Sequence, residues 1–349
     1  MRTIFRAEQS RAEQSRAEQS RAEQSRAEQS RAEQSRAEWI DFARGMAIVS
    51  VIIGHYVFNF LGVLIFAFHI PLFCVISGYL TKPVNLKVCI KKVIRKTIPY
   101  YCYTAAIICG ISIMNNGTNP IFDWLLGMNN STSYYKVVYG IGPMWYLLAF
   151  VIASIVSSLL IRNNGCSKAL MLSSVFCIVG VLISKVFILP LQIDNGLVLS
   201  VFICFGYWNK QKGLLELKTN WQISIAVLIA GLAASYLIGC QSYASRVYPK
   251  FPLGILLSML LCFAILGLCK KYYRDNFITK YLRWMGRNTM KILAFHTVEY
   301  TFILPVIHSV SIVGERHIDS VIHAGVSLVL NTLLLVIITY IPKRGKTND

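Results

Sequence analysis

The sequence predicts an all-α integral membrane protein, a bundle of about ten transmembrane helices with both termini cytoplasmic. Three observations carry this expectation. Of 349 residues, 55% are hydrophobic and 15% charged, with a mean hydropathy of +0.53; soluble domains carry about 25% charged residues. The apolar residues come in runs of roughly 18–22, the length that crosses a bilayer as a helix. The cations sit in short stretches between those runs. A net charge of +19 points to nucleic acid only when it forms a basic face on a soluble module. Dispersed in this way, it argues against a nucleic-acid partner.

The chain opens on a low-complexity segment, residues 1–38. From Arg6 to Ser35 the unit Arg-Ala-Glu-Gln-Ser recurs without substitution, and a partial copy runs into Trp39. A five-residue period matches no helical packing stripe, so the segment reads as a polar, helix-tolerant cytoplasmic tether. It has none of the features of a signal peptide. Its perfection has a genetic reading. The codons AGA-GCA-GAG-CAG-AGC encode this pentapeptide and are also the five-base unit AGAGC written three times. A slipping DNA tract stays homogeneous, whereas selection on a peptide tolerates drift. The expectation is therefore a phase-variable gene.

The transmembrane domain is expected at 39–341, followed by a short cytoplasmic tail at 342–349. Its spans fall near 42–61, 62–81, 97–114, 143–161, 169–186, 196–208, 221–239, 252–269, 291–307 and 320–341. With the N-terminus inside, roughly 21 Lys and Arg lie on the cytoplasmic side and about 5 outside, in keeping with the positive-inside rule. The sixth span is short, and almost no loop joins the first two. The largest outer loop runs from Asn115 to Gly142 and holds two glycosylation sequons by pattern. Most of the ten cysteines, among them Cys74, Cys102, Cys109, Cys177, Cys204 and Cys262, lie in apolar runs. They read as small buried hydrophobes.

Ionisable groups inside spans are costly and mark function by default. The first span carries Asp41, Arg44 and His55. Arg44 and His55 are eleven residues apart, about 16 Å along a helix and only ~20° around it, so they share a face. Asp41 is placed to pair with Arg44. His69 falls in the second span at a depth similar to His55, and His296 and Glu299 share a face of the ninth. A lone histidine is ordinarily a polar bridge between helices; an arginine and two level histidines weigh toward a site. His308, His317 and His323 fall near the outer boundary and read as interface residues. No His-x-x-x-His or carboxylate pair supports a metal.

The block Arg36-Ala37-Glu38-Trp39-Ile40-Asp41-Phe42-Ala43-Arg44 through Gly54-His55 resembles the opening of the membrane-bound acyltransferase-3 family. Arg44 and His55 meet its Arg-x10-His motif. Phe68-His69-Ile70-Pro71-Leu72-Phe73 through Ser77-Gly78-Tyr79 is similar to its next block. The family's basic Arg-x-x-Arg is here Lys92-Val93-Ile94-Arg95, where lysine keeps the charge but loses the bidentate fork. Pro143-Met144-Trp145-Tyr146-Leu147 and Gly286-Arg287-Asn288-Thr289-Met290, the latter followed by His296, resemble later blocks. The resemblance runs from Arg36 to the C-terminus.

The resemblance implies an all-helical bundle of about ten spans in a bacterial inner membrane. It implies an O-acyltransferase, most simply an O-acetyltransferase. Such an enzyme moves an acyl group from cytoplasmic acetyl-CoA to a sugar hydroxyl of a surface polysaccharide, such as O-antigen lipopolysaccharide or capsule, or of its undecaprenyl-linked precursor. His55 would be the base or acyl carrier and His69 an alternative relay. Arg44 would hold a CoA phosphate or stabilise an oxyanion, with Asp41 orienting it. Lys91, Lys92, Arg95 and His296 would serve the donor. Besides acyl-CoA and the glycan, membrane lipid is the expected partner, and no metal is expected. The competing class is a transporter or flippase for a lipid-linked sugar; a sensor or scaffold would not need two level histidines.

Overall fold

A computed structural model of the chain describes residues 38–57, 60–114, 121–127, 141–216, 221–310 and 316–340. The pentapeptide tract, the two sequons and the C-terminal tail lie outside them. Among the described residues no strand forms beyond one bridge between Ser242 and Val247. The helices are α1 (38–54), α2 (Phe60–Phe66), α3 (His69–Leu80), α4 (Leu86–Met114), α5 (Ile121–Leu126), α6 (Trp145–Asn163) and α7 (Cys166–Ser184). They continue as α8 (Ile193–Gln211), α9 (Trp221–Ile238), α10 (Leu253–Tyr272), α11 (Phe277–Arg287), α12 (Thr289–Val310) and α13 (Arg316–Tyr340). Seven stretches among the described residues are long and apolar enough to cross a membrane: Phe60–Leu80, Leu86–Met114, Gly142–Asn163, Cys166–Ser184, Pro190–Gln211, Leu253–Tyr272 and Ile322–Thr339. The expected segments 42–61, 221–239 and 291–307 fall on α1, α9 and α12, which are not among the seven. The chain is an all-α, multi-pass membrane protein.

Burial confirms which solvent the bundle faces. On α7 the buried residues are Ala169, Ser173, Cys177, Gly180 and Val181, while Met171, Val175 and Leu182 are more than half exposed. Small residues inside and large apolar ones outside is the pattern of helices packed in lipid. Cys74, Cys177, Cys204 and Cys262 are buried as expected, but Cys102 is exposed and Cys109 half-buried on the outward side of α4.

Three expectations about spans are corrected. The basic segment before the third span is not a loop. Helix α4 begins at Leu86, and its buried residues Val93, Thr97, Tyr101, Thr104 and Ile108 form one stripe at helical spacing. Lys91, Lys92, Arg95 and Lys96 are exposed on its other sides. The sixth span is not short. Asp194, Asn195, Ser200 and Asn209 depress its hydropathy, yet all four are buried in the bundle on α8. The second span is not continuous, since α2 ends at Phe66 and α3 restarts at His69.

Glycines set the closest helix approaches. A Cβ on Gly78 of α3 would meet the Ile203 carbonyl of α8, and one on Gly206 would meet that of Val75. Likewise Gly45 of α1 abuts the Leu282 carbonyl of α11, and Gly286 abuts that of Asp41. The second crossing seats the amphipathic helix α11 against the start of α1. At the other end of the bundle, the turn before α10 is pinned by a buried ion pair between Arg246 and Asp194. Gln192 and Asn195 join it: the Arg246 guanidinium also donates to Gln192 Oε1 (3.3 Å), and the Tyr248 hydroxyl donates to Asn195 Oδ1 (2.8 Å).

Removing one partner of such a pair leaves a charge uncompensated and costs about 3–5 kcal/mol. Asp194→Ala is therefore expected to lower the melting temperature of the detergent-solubilised protein sharply. An unchanged melting temperature would show that the ion pair does not hold the turn.

Candidate active site

Both histidines of the first two spans sit at breaks in regular backbone. Helix α1 ends at Gly54, and His55 and Tyr56 form a turn beyond it. His69 is the first residue of α3, and its Nδ1 lies 2.8 Å from the Ile65 carbonyl oxygen. Pro71 costs this helix nothing, because a first-turn N–H has no helical acceptor. The Ala67 carbonyl, which Pro71 leaves without a helical donor, accepts from the Ser258 hydroxyl of α10 (2.6 Å), and the Cys262 thiol reaches Phe68 O (3.8 Å), which also accepts from Leu72 N (2.8 Å). Irregular backbone in a membrane is tolerated where protein or a cavity takes over its polar groups. Phe66 stands between the two histidines, edge-on to each, with centroid distances of 6.5 Å to His55 and 5.0 Å to His69.

Behind His55 lies a second layer. The His296 ring of α12 packs against it at 5.3 Å between centroids. His296 is fully buried, and its Nδ1 is 2.9 Å from Glu299 Oε2. Glu299 also accepts from the Tyr56 hydroxyl (2.5 Å), the Ser327 hydroxyl (2.7 Å) and the Asn331 amide (3.2 Å).

One cavity of about 250 Å³ joins the histidines to a basic end. His55, His69 and Phe66 line it at one end, and Arg44, Lys96, Arg287 and Lys291 at the other. Among the described residues no acidic side chain lines it. Asp41 stands just outside, bridging Arg44 (3.2 Å) and Arg287 (3.0 Å). This links α1 to the end of α11, which the Gly45–Gly286 crossing brings close. The walls between are largely aromatic, from Phe73, Tyr100, Trp145, Tyr146 and Phe150. Near the histidines the wall is completed by Tyr243 and Ala244 of the turn held by Arg246. Burial holds the Tyr243 phenol well above its ordinary pKa; its neutral hydroxyl donates to Gln241 Oε1 at 2.9 Å.

The comparison with known families bears on what this cavity does. Residues 37–341 match the model of the acyltransferase-3 family, described as an acyltransferase domain. The chain belongs to that family. No curated protein and no solved structure matches it. The acyltransferase therefore has a cavity whose basic end suits an anionic donor and whose other end carries two imidazoles.

Of the residues singled out in the sequence, Arg44, His55 and His69 share this cavity, and Asp41 braces its basic end. Lys91, Lys92 and Arg95 do not line it. They surround an adjoining shallow depression on α4, to which Lys96 also belongs. His296 is apart from these cations and packs on His55. Among the described residues no group of three or more His, Cys, Asp or Glu side chains is placed to hold a metal. His323 is buried on α13 rather than lying at an interface. Sequence reasoning missed Lys96, Arg287 and Lys291 as cavity cations. A signal existed for Arg287, in the Gly286-Arg287-Asn288 block already singled out.

Proposed function

We propose that this acyltransferase is an O-acetyltransferase of the bacterial inner membrane. It takes acetyl from cytoplasmic acetyl-CoA and places it on a hydroxyl of a surface polysaccharide or its undecaprenyl-linked precursor. The observation that carries this reading is the single cavity with four cations at one end and His55 with His69 at the other. Arg44 is about 16 Å from His55 along α1, far outside hydrogen-bond range of a carbonyl reacting there. That separation favours Arg44 as a holder of donor phosphate over an oxyanion role. Lys96, Arg287 and Lys291 would share the phosphate charge, with Lys91, Lys92 and Arg95 extending the basic surface outward.

At the other end a sugar hydroxyl needs a base, and a neutral imidazole suits it near neutral pH. His55 takes the hydroxyl proton as the sugar oxygen attacks the thioester carbonyl carbon. The C–S bond then breaks, and the departing thiolate takes a proton, leaving a sugar ester and free CoA. His55 could equally accept the acetyl group first. His69 is the alternative relay. Aromatic walls suit the apolar faces of a sugar ring. The helix breaks would also suit a transporter, but the family is one of acyltransferases. We further propose that the pentapeptide tract makes expression phase-variable.

Mass spectrometry of surface polysaccharide from cells with and without the gene tests the reading. Glycan from expressing cells is expected to be heavier by one acetyl group per modified residue. Identical spectra would overturn it.

A further inference from the structure

We propose that Glu299 is a positioning residue for acyl transfer, holding His55 through two separate attachments. The proposal rests on the reading of His55 as the reacting histidine.

The first attachment runs through His296. The Glu299 carboxylate lies 2.9 Å from His296 Nδ1, an arrangement that fixes ring orientation and tautomer, with the proton on Nδ1 facing the carboxylate. The ring so held is the one packed on His55. The second runs through the backbone. The Tyr56 hydroxyl donates to the other carboxylate oxygen at 2.5 Å. Tyr56 is the next residue after His55, in the turn where α1 has already ended. The turn keeps backbone bonds from His55 N to Val51 O (3.3 Å) and from Val57 N to Ile53 O (3.1 Å), and the Tyr56 bond to Glu299 ties it in addition to α12.

The carboxylate is itself fixed from a third element. Ser327 and Asn331 of α13, four residues apart on one helix face, both donate to Oε2. Glu299 is 1% exposed, and a buried carboxylate is tolerated where donors surround it. Four donors from the α1 turn, α12 and α13 converge on it. A staple needed only to join helices would not have to touch both the residue after His55 and the ring against it.

Acyl transfer from acetyl-CoA to endogenous glycan, measured as thiol release in membranes containing the full-length protein, tests this. Glu299→Gln keeps the shape but replaces one acceptor oxygen with an NH2 that opposes a donor. It is expected to lower kcat by roughly 10²–10⁴-fold, the range for losing a general base or its orienting carboxylate. The KM for acetyl-CoA should stay within about twofold, because the cations of the donor end are untouched. His296→Ala should cause a similar loss. The double variant should lose little more, since the two act as one unit.

A merely structural role would lower the amount of inserted protein and leave kcat per folded molecule intact. Folded Glu299→Gln protein with wild-type kcat, or losses that multiply in the double variant, would overturn the proposal. If Glu299→Gln fails to fold, Tyr56→Phe decides. It removes one bond and should reduce kcat about tenfold at constant KM; unchanged kcat would count against the proposal. His55→Ala separates the two levels. Full activity there removes His55 as the reacting histidine and with it the reading this proposal rests on, whereas its loss with an indifferent Glu299 overturns only the positioning role.

Discussion

Membranes containing His55→Ala protein are expected to lose glycan acetylation by roughly 10²–10⁴-fold, the contribution of a positioned general base. Protein level and insertion should not change. His55 is half-buried and lines the cavity, so truncation there removes chemistry more than packing. Arg44→Lys should act differently. It keeps a cation at the basic end but loses the fork that can engage a phosphate and Asp41 together. The expectation is a KM for acetyl-CoA raised about tenfold or more, with kcat less affected. Wild-type acetylation by well-expressed His55→Ala protein would remove His55 from the mechanism. A kcat-only defect in Arg44→Lys would move Arg44 from the phosphate to the reacting carbonyl.

The second large effect, on the proposed AGAGC tract, is expected to be genetic and all-or-none. Gain or loss of one AGAGC unit shifts the reading frame, because five is not a multiple of three. Three units restore it and add or remove one Arg-Ala-Glu-Gln-Ser copy. The tract ends at Ser35, ahead of α1, so a frameshift there eliminates every helix, and with them Arg44 and His55. Single colonies are expected to differ in tract length by one unit, with glycan acetylation confined to the in-frame class. In-frame variants of different length are expected to be equally active, the behaviour that a tether would show. Synonymous codons scattered through the tract, with one length in all colonies, would leave the repeat an ordinary linker.

What the sequence disclosed followed the range of each physical rule. Arg44 and His55 were placed on one face by helix arithmetic, which holds because a helical backbone bond from His55 N to Val51 O (3.3 Å) extends α1's geometry into the turn, and both line the cavity. The short-span expectation for α8 failed because hydropathy counts Asp194 and Asn195 as polar without knowing that Arg246 and Tyr248 meet them. The break before His69 had a local signal in Pro71, which suits a first turn and not the middle of a span. The partnership of His296 with His55 had none. It joins segments 241 residues apart in sequence, and one chain does not reveal which spans are neighbours. The same holds for Glu299, whose spacing from His296 was visible but whose donors come from Tyr56, Ser327 and Asn331.

The long reach from Tyr56 to Glu299 also bears on when, during synthesis, the enzyme becomes competent. The two are separated by 243 residues. At ordinary elongation speeds the second leaves the ribosome on the order of 12–50 s after the first. Ser327 and Asn331 follow later still. Throughout that interval the Arg44–His55 helix can already be inserted and exposed to donor thioester, yet the brace for its histidine has not been made. On the proposed roles of His55 and Glu299, competence would wait on the last helices of the chain, and a nascent, unclosed bundle would not spend its acyl donor on water.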